Sequence, residues 1–143
     1  MFGLKLSKVS NDDSSEIMFG GYNENLIGDE GISWQSNYGD GKWLVSINKF
    51  SFNDEEIHLT SNLFEIATAE NHLRMARTDF VRIEMLFRSK YECTYDASFL
   101  FYCYTDSRSL TGIPPIVINL DKITLVVPAS DYVEFVPIML SYF

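Results

Sequence analysis

Lys42-Trp-Leu-Val-Ser-Ile-Asn-Lys-Phe-Ser-Phe52 is the stretch on which the fold class turns. Within it, Trp43–Phe52 reads as the strongest strand of the chain. Trp43, Val45 and Ile47 alternate onto one face, whereas Phe50 and Phe52 fall on the other. That change of phase predicts a bulge near Asn48-Lys49 or burial on both faces.

Outward from this stretch the pattern is strand, turn and strand. Phe2-Gly-Leu-Lys-Leu alternates as a half-buried strand does, Asn11–Ser15 is a polar turn, and Glu16-Ile-Met-Phe is a second strand closed by Gly20-Gly21. Ile32-Ser33-Trp34 is expected as a short third strand, and Tyr38-Gly-Asp-Gly-Lys42 as a turn. Asn53-Asp54-Glu55 turns the chain again, ahead of strands at Ile57–Leu59 and Leu63–Ala67. One segment reads as helix: Thr78 as cap, Asp79 in the first turn, Phe80, Ile83 and Phe87 at helical spacing, and Arg88 and Lys90 near the end. Strands resume at Phe99–Tyr104, Ile116–Leu120 and Ile123–Val127, with Asp121-Lys122 as a hairpin turn. No internal repeat or linker interrupts residues 1–143, which are expected to form one mostly-β domain.

Composition narrows the function. The chain has 143 residues, 46% hydrophobic and 15% aromatic, and a net charge of −9 with only 11 Lys and Arg. Scattered cations in an acidic chain argue against nucleic-acid binding. No apolar run reaches the eighteen or more residues that a transmembrane helix needs. Met1-Phe-Gly-Leu-Lys-Leu-Ser-Lys is not read as a secretory signal, because polar and apolar residues alternate and Asn11-Asp12-Asp13 follows. Cys93, Cys103, His58 and His72 lack metal-finger spacing, so no metal or other cofactor is expected. No Gly-x-Ser-x-Gly elbow, phosphate loop or dinucleotide fingerprint is present.

Several pieces, in order, resemble the pepsin-like aspartic peptidases. Phe2-Gly-Leu-Lys-Leu-Ser with Ser15-Glu-Ile-Met-Phe-Gly-Gly-Tyr-Asn is similar to the strand and "G-E-L-x-x-G-G-x-D" hairpin joining that family's two lobes, and Gly31-Ile-Ser-Trp34 resembles the short strand that follows. Lys42–Phe52 resembles "Y-W-x-V-x-L-x-x-V-x-V", which opens the C-terminal lobe. Ile113-Pro-Pro-Ile-Val-Ile-Asn-Leu-Asp121 is similar to "L-P-x-I-x-F-x-x-x-G", and Leu125-Val-Val-Pro-Ala-Ser-Asp-Tyr132 to "y-x-L-x-P-x-x-Y". Each fragment alone is weak; their shared order over roughly residues 2–133 is what carries the resemblance. It implies a single six-stranded-sheet-type lobe of the acid protease fold with one short helix: the interlobe strand plus most of the C-terminal lobe.

Aspartic peptidases activate water between two carboxylates that share a proton, each from an "Asp-Thr/Ser-Gly-Thr/Ser" loop. The stretch similar to that loop is Phe64-Glu-Ile-Ala-Thr-Ala-Glu-Asn71, followed by Arg77-Thr-Asp-Phe80. By this register Ala67 stands where the catalytic aspartate would be, and Thr68 keeps a hydroxyl that in the family cross-links the two loops. Ala69 replaces a glycine, Glu70 replaces a small hydroxyl residue and Asn71 a serine. Glu70 as a substitute carboxylate would approach from a different direction, and catalysis tolerates only about 1 Å of misplacement. No Asp occurs between Glu55 and Asp79, so a shifted register does not restore the motif. His72, beside this loop, is read as a solvated or packed side chain rather than a base.

The resemblance also implies a missing N-terminal lobe, with its aspartate and flap, and a C-terminal end matched only vaguely by the apolar Phe135-Val-Pro-Ile-Met-Leu-Ser-Tyr-Phe143, expected either to fold back as a core strand or to dock on a partner. It matches Cys103 to the first half of a lobe disulfide whose second half is expected beyond residue 143. A Cys93–Cys103 bridge across a short hairpin, or two small buried thiols, are both open readings. Family members are mostly secreted, vacuolar or lysosomal. The expected function is a non-catalytic, aspartic-peptidase-like structural or protein-binding subunit. The alternatives are a residual endopeptidase completed by another chain, and a lobe that holds peptide in a vestigial cleft without hydrolysing it.

Overall fold

The computed structural model describes residues 1–7, 14–29, 31–68, 73–105 and 109–135. They are mainly β, with one long helix, and cluster into two units, Met1–Trp34 and Gln35–Phe143.

In the first unit, β1 (Phe2–Lys5) pairs antiparallel with β2 (Glu16–Phe19), Phe2 opposite Phe19 and Lys5 opposite Glu16. A short 3-10 turn, Glu24–Leu26, follows, capped by the Asn23 side chain accepting from the Asn25 amide at 3.1 Å. The strand expected at Ile32–Trp34 is absent: the segment leaves Gly31 at φ +75°, joins no strand ladder among the described residues, and leaves Trp34 68% exposed.

In the second unit the Trp43–Phe52 stretch divides. β3 (Leu44–Ser46) pairs with β6 (Leu63–Glu65), whereas β4 (Lys49–Phe52) joins a four-stranded sheet with β5 (Glu55–Glu56), β9 (Ile116–Asn119) and β10 (Thr124–Val127), in the order β10-β9-β4-β5. The change of phase is therefore a change of sheet. At the crossing the Ile47 amide donates to Asn62 O (2.7 Å), and the next amide, Asn48, to Asn119 O (2.8 Å). Successive amides serve different sheets, so the apolar alternation shifts by one residue.

The turn before this stretch needs glycine, since a Cβ on Gly39 would lie 2.3 Å from Lys42 O. The β4–β5 turn sets Asn53 and Asp54 at φ 54° and 61°, the left-handed pair that suits the twist of a two-residue hairpin. Ile57–Leu59, expected as a strand, is irregular; β5 ends at Glu56. Among the described residues the widest sheet has four strands.

Helix α1 (Arg77–Arg88) begins one residue before the expected cap. Ala76 is its N-cap and, as a methyl side chain, offers no capping bond; Thr78 lies inside the helix, its hydroxyl 3.2 Å from that of Thr60. A hairpin of β7 (Glu92–Tyr95) and β8 (Phe101–Tyr104) follows, and a short helix α2 (Ala129–Tyr132) closes the described chain. The core gathers Ile47, Phe50, Phe52, Ile57, Ile116 and Ile118 from the strands against Ile83 of α1, with Phe64, Phe80, Phe87 and Tyr132 around them. The alternation of β9, buried at Ile116 and Ile118, supplies the centre of this layer. Half-buried Tyr132 donates its hydroxyl to Pro114 O, and desolvation pushes its pKa up to about 12.

Candidate functional site

The loop compared with the catalytic loop leaves the end of β6. β6 runs Leu63 opposite Ser46, Phe64 opposite Val45 and Glu65 opposite Leu44, and one further amide, Ile66, donates to Trp43 O at 2.8 Å. Phe64 packs on the core, while Glu65 accepts from Lys42 Nζ at 3.1 Å. Ala67 and Thr68 follow the strand as exposed residues. Ala69, Glu70, Asn71 and His72 lie outside the described residues, as does most of the apolar tail, from residue 136 onward.

On the far side of the loop the chain enters α1, and there stands a carboxylate that local spacing did not single out for its partners. Asp79 is 8% exposed. It accepts from the Thr60 amide at 3.1 and 3.0 Å, from the Thr60 hydroxyl, and from the Thr78 hydroxyl at 3.3 Å. The Thr60 hydroxyl bond, then the Thr60 amide, holds the Asp79 carboxyl below its ordinary range, against the opposing effect of burial. Thr60 precedes β6 and Asp79 follows the loop, so these bonds close the base of the segment.

The other buried acid is Glu84, one and a half turns along α1. Arg88 Nε donates to it at 2.7 Å, Tyr95 hydroxyl at 2.8 Å, and Arg77 lies 3.8 Å away. The Arg88 bond keeps its carboxyl low, and desolvation followed by the Glu84 bond pushes the Tyr95 hydroxyl up. Arg88 Nη1 also donates to Cys93 O at 2.6 Å, tying α1 to β7. The i, i+4 spacing of Glu84 and Arg88 was a visible signal for this cluster; its burial was not.

Proton shuttling by a carboxylate pair needs one acid that holds a proton beside one that does not. Asp79 and Glu84 are each satisfied by their own donors and each favoured as the anion, so neither is poised to store a proton. Among the described residues no group of three or more His, Cys, Asp or Glu converges as metal ligands. Cys93 and Cys103 face each other across β7–β8 and are joined by a disulfide. His58 is exposed, its Nδ1 3.6 Å from Glu56. In the first unit an open groove of about 280 Å³ is walled by Leu4, Met18, Tyr22, Leu26, Ile32 and Trp34, and Glu16 in its lining accepts from Asn23 Nδ2 at 3.4 Å.

The family model of the eukaryotic aspartyl proteases matches residues 1–137. The chain belongs to this family. No curated protein and no solved structure matches it. The second unit is mainly β, with its long helix following the loop under comparison. No helix of the described residues is long and apolar enough to cross a membrane.

Proposed function

We propose that this member of the eukaryotic aspartyl protease family does not hydrolyse peptides and serves as a structural or protein-binding subunit of a larger assembly. The observation that carries this reading is Ala67: in the family register, a methyl group occupies the position from which a carboxylate would activate water. Two features support it. Both buried acids of the described residues are engaged elsewhere, Asp79 with Thr60 and Glu84 with Arg88 and Tyr95. Among the described residues, large apolar side chains also lie exposed in greater number, 23, than apolar residues lie buried, 10, which suits a chain that is covered by a partner.

The test is incubation of the purified chain with fluorogenic peptides at acid pH, with and without pepstatin. No pepstatin-sensitive cleavage is expected, and its appearance would overturn the reading. The assembly half is tested by sedimentation: a monodisperse monomer at micromolar concentration counts against it.

A further inference from the structure

The β7–β8 hairpin presents two unlike faces. Register places Cys93 opposite Cys103 and Tyr95 opposite Phe101 on one side, and Glu92 opposite Tyr104 and Thr94 opposite Tyr102 on the other. The first face is packed inward. Phe101 meets Phe80 at 5.2 Å and Phe87 at 6.2 Å between ring centres, Arg77 lies over the Tyr95 ring, and Arg88 over that of Phe101. The second face is open: Tyr102 and Tyr104 are exposed, edge to face at 5.6 Å.

The tip is the unusual part. Phe99 sits at φ +62° and is 85% exposed. A bulky side chain in the left-handed region costs free energy, and an aromatic ring in water adds to that cost. The conformation is nonetheless firmly specified. Asp96 Oδ1 accepts from the Ser98 and Leu100 amides at 2.8 and 2.9 Å, Asp96 O accepts from the Phe99 amide at 3.1 Å, and the Asp96 amide donates to Leu100 O at 3.0 Å. The disulfide clamps the two strands behind the tip. A strained, exposed aromatic held rigid in this way is the form of a preorganised anchor.

We propose that the tip and outer face of β7–β8 form a docking surface for a second protein, with Phe99 entering an apolar pocket rimmed by arginine. Charge selects the occupant: residues 91–105 carry Glu92 and Asp96 and no Lys or Arg. Guanidinium groups stack on tyrosine rings and pair with carboxylates, and Tyr, Phe and Arg recur together at interface anchors. The proposal rests on the protein-binding reading above, but hydrolysis assays test that reading whereas the following test addresses this face alone.

The probe is a displayed library of random linear peptides selected on the whole, disulfide-intact chain. Selected peptides are expected to be enriched in arginine beside apolar residues. They should bind Phe99→Gly and the double variant Tyr102→Ala/Tyr104→Ala roughly tenfold or more weakly, but bind Val126→Ala, on the exposed part of β10, like the parent. Phe99→Gly separates docking from folding. Glycine accepts positive φ without strain, so its melting temperature should equal or exceed the parent's while binding falls. Selected peptides without arginine, binding that survives both hairpin variants, or a Phe99→Gly variant that melts earlier yet still binds, would each overturn the proposal. So would retention of soluble oligosaccharides by this face in place of arginine peptides.

Discussion

Asp79 shows how one carboxylate can matter to a fold without serving in chemistry. Its oxygens satisfy the Thr60 amide and hydroxyl, so Asp79→Asn, which removes the charge and one acceptor, is expected to cost roughly 1.5–3 kcal/mol, measured by urea unfolding. The pH dependence has a definite sign. The folded carboxyl is held below the ordinary value of 3.8, so the unfolded chain takes up its proton first as pH falls. The contribution is full above the ordinary carboxylate range and is lost as pH drops through the lowered folded value. Asp79→Asn should therefore flatten the acid limb of the stability profile and leave its neutral limb parallel to the parent's. Sequence spacing marked Asp79 only as a first-turn acid favoured by the helix dipole. Its partner, Thr60, lies beyond β6 and the following loop, where no local periodicity points to it.

At the scale of elements, Trp43–Phe52 carries strand-forming residues at both ends, yet its division between two sheets is not local information. Alternation revealed the phase change, but which sheet each half joins depends on β6 and β9, distant strands that no window around residue 48 contains. Short elements were harder still: Ile32–Trp34 has strand-like residues yet enters no strand ladder among the described residues, and strand formation depends on cross-strand packing more than on propensity. Phe52 lies where the four-stranded sheet meets α1 and α2, its ring stacked on Phe87 at 6.2 Å and edge-on to Tyr132 at 6.4 Å. Phe52→Ala is expected to cost roughly 3–5 kcal/mol, read from the denaturation midpoint. The link between α1 and β7 runs through Glu84 and Arg88. With Glu84 buried and Arg88 nearly half exposed, Arg88→Met should cost roughly 1–3 kcal/mol. A double-mutant cycle with Glu84→Gln should show the two effects to be strongly coupled. The loop after β6 was set against the family pattern residue by residue, and its register belongs to the proposal; Asp79 and Glu84, whose roles depend on burial, were not legible in sequence.

For the whole molecule, Ala67→Asp is expected to yield no measurable proteolysis, because in the proposed register Ala69, Glu70 and Asn71 also depart from the loop pattern that would orient a restored carboxylate. Pepstatin-sensitive cleavage by that variant would show that the loop needs only its aspartate. The pairing of β4 with β9 has a further consequence, for the order of events as the chain folds. Phe50 meets Ile118 in the register, so the central sheet closes a long loop before it gains any contact energy. Helix α1 and the β7–β8 hairpin lie wholly within that loop and are local, so they can form first and shorten the remaining search. On the ribosome, Phe50 and Phe52 emerge long before their partner strand exists. Throughout that interval, an apolar edge later buried in the core stands open to other nascent chains.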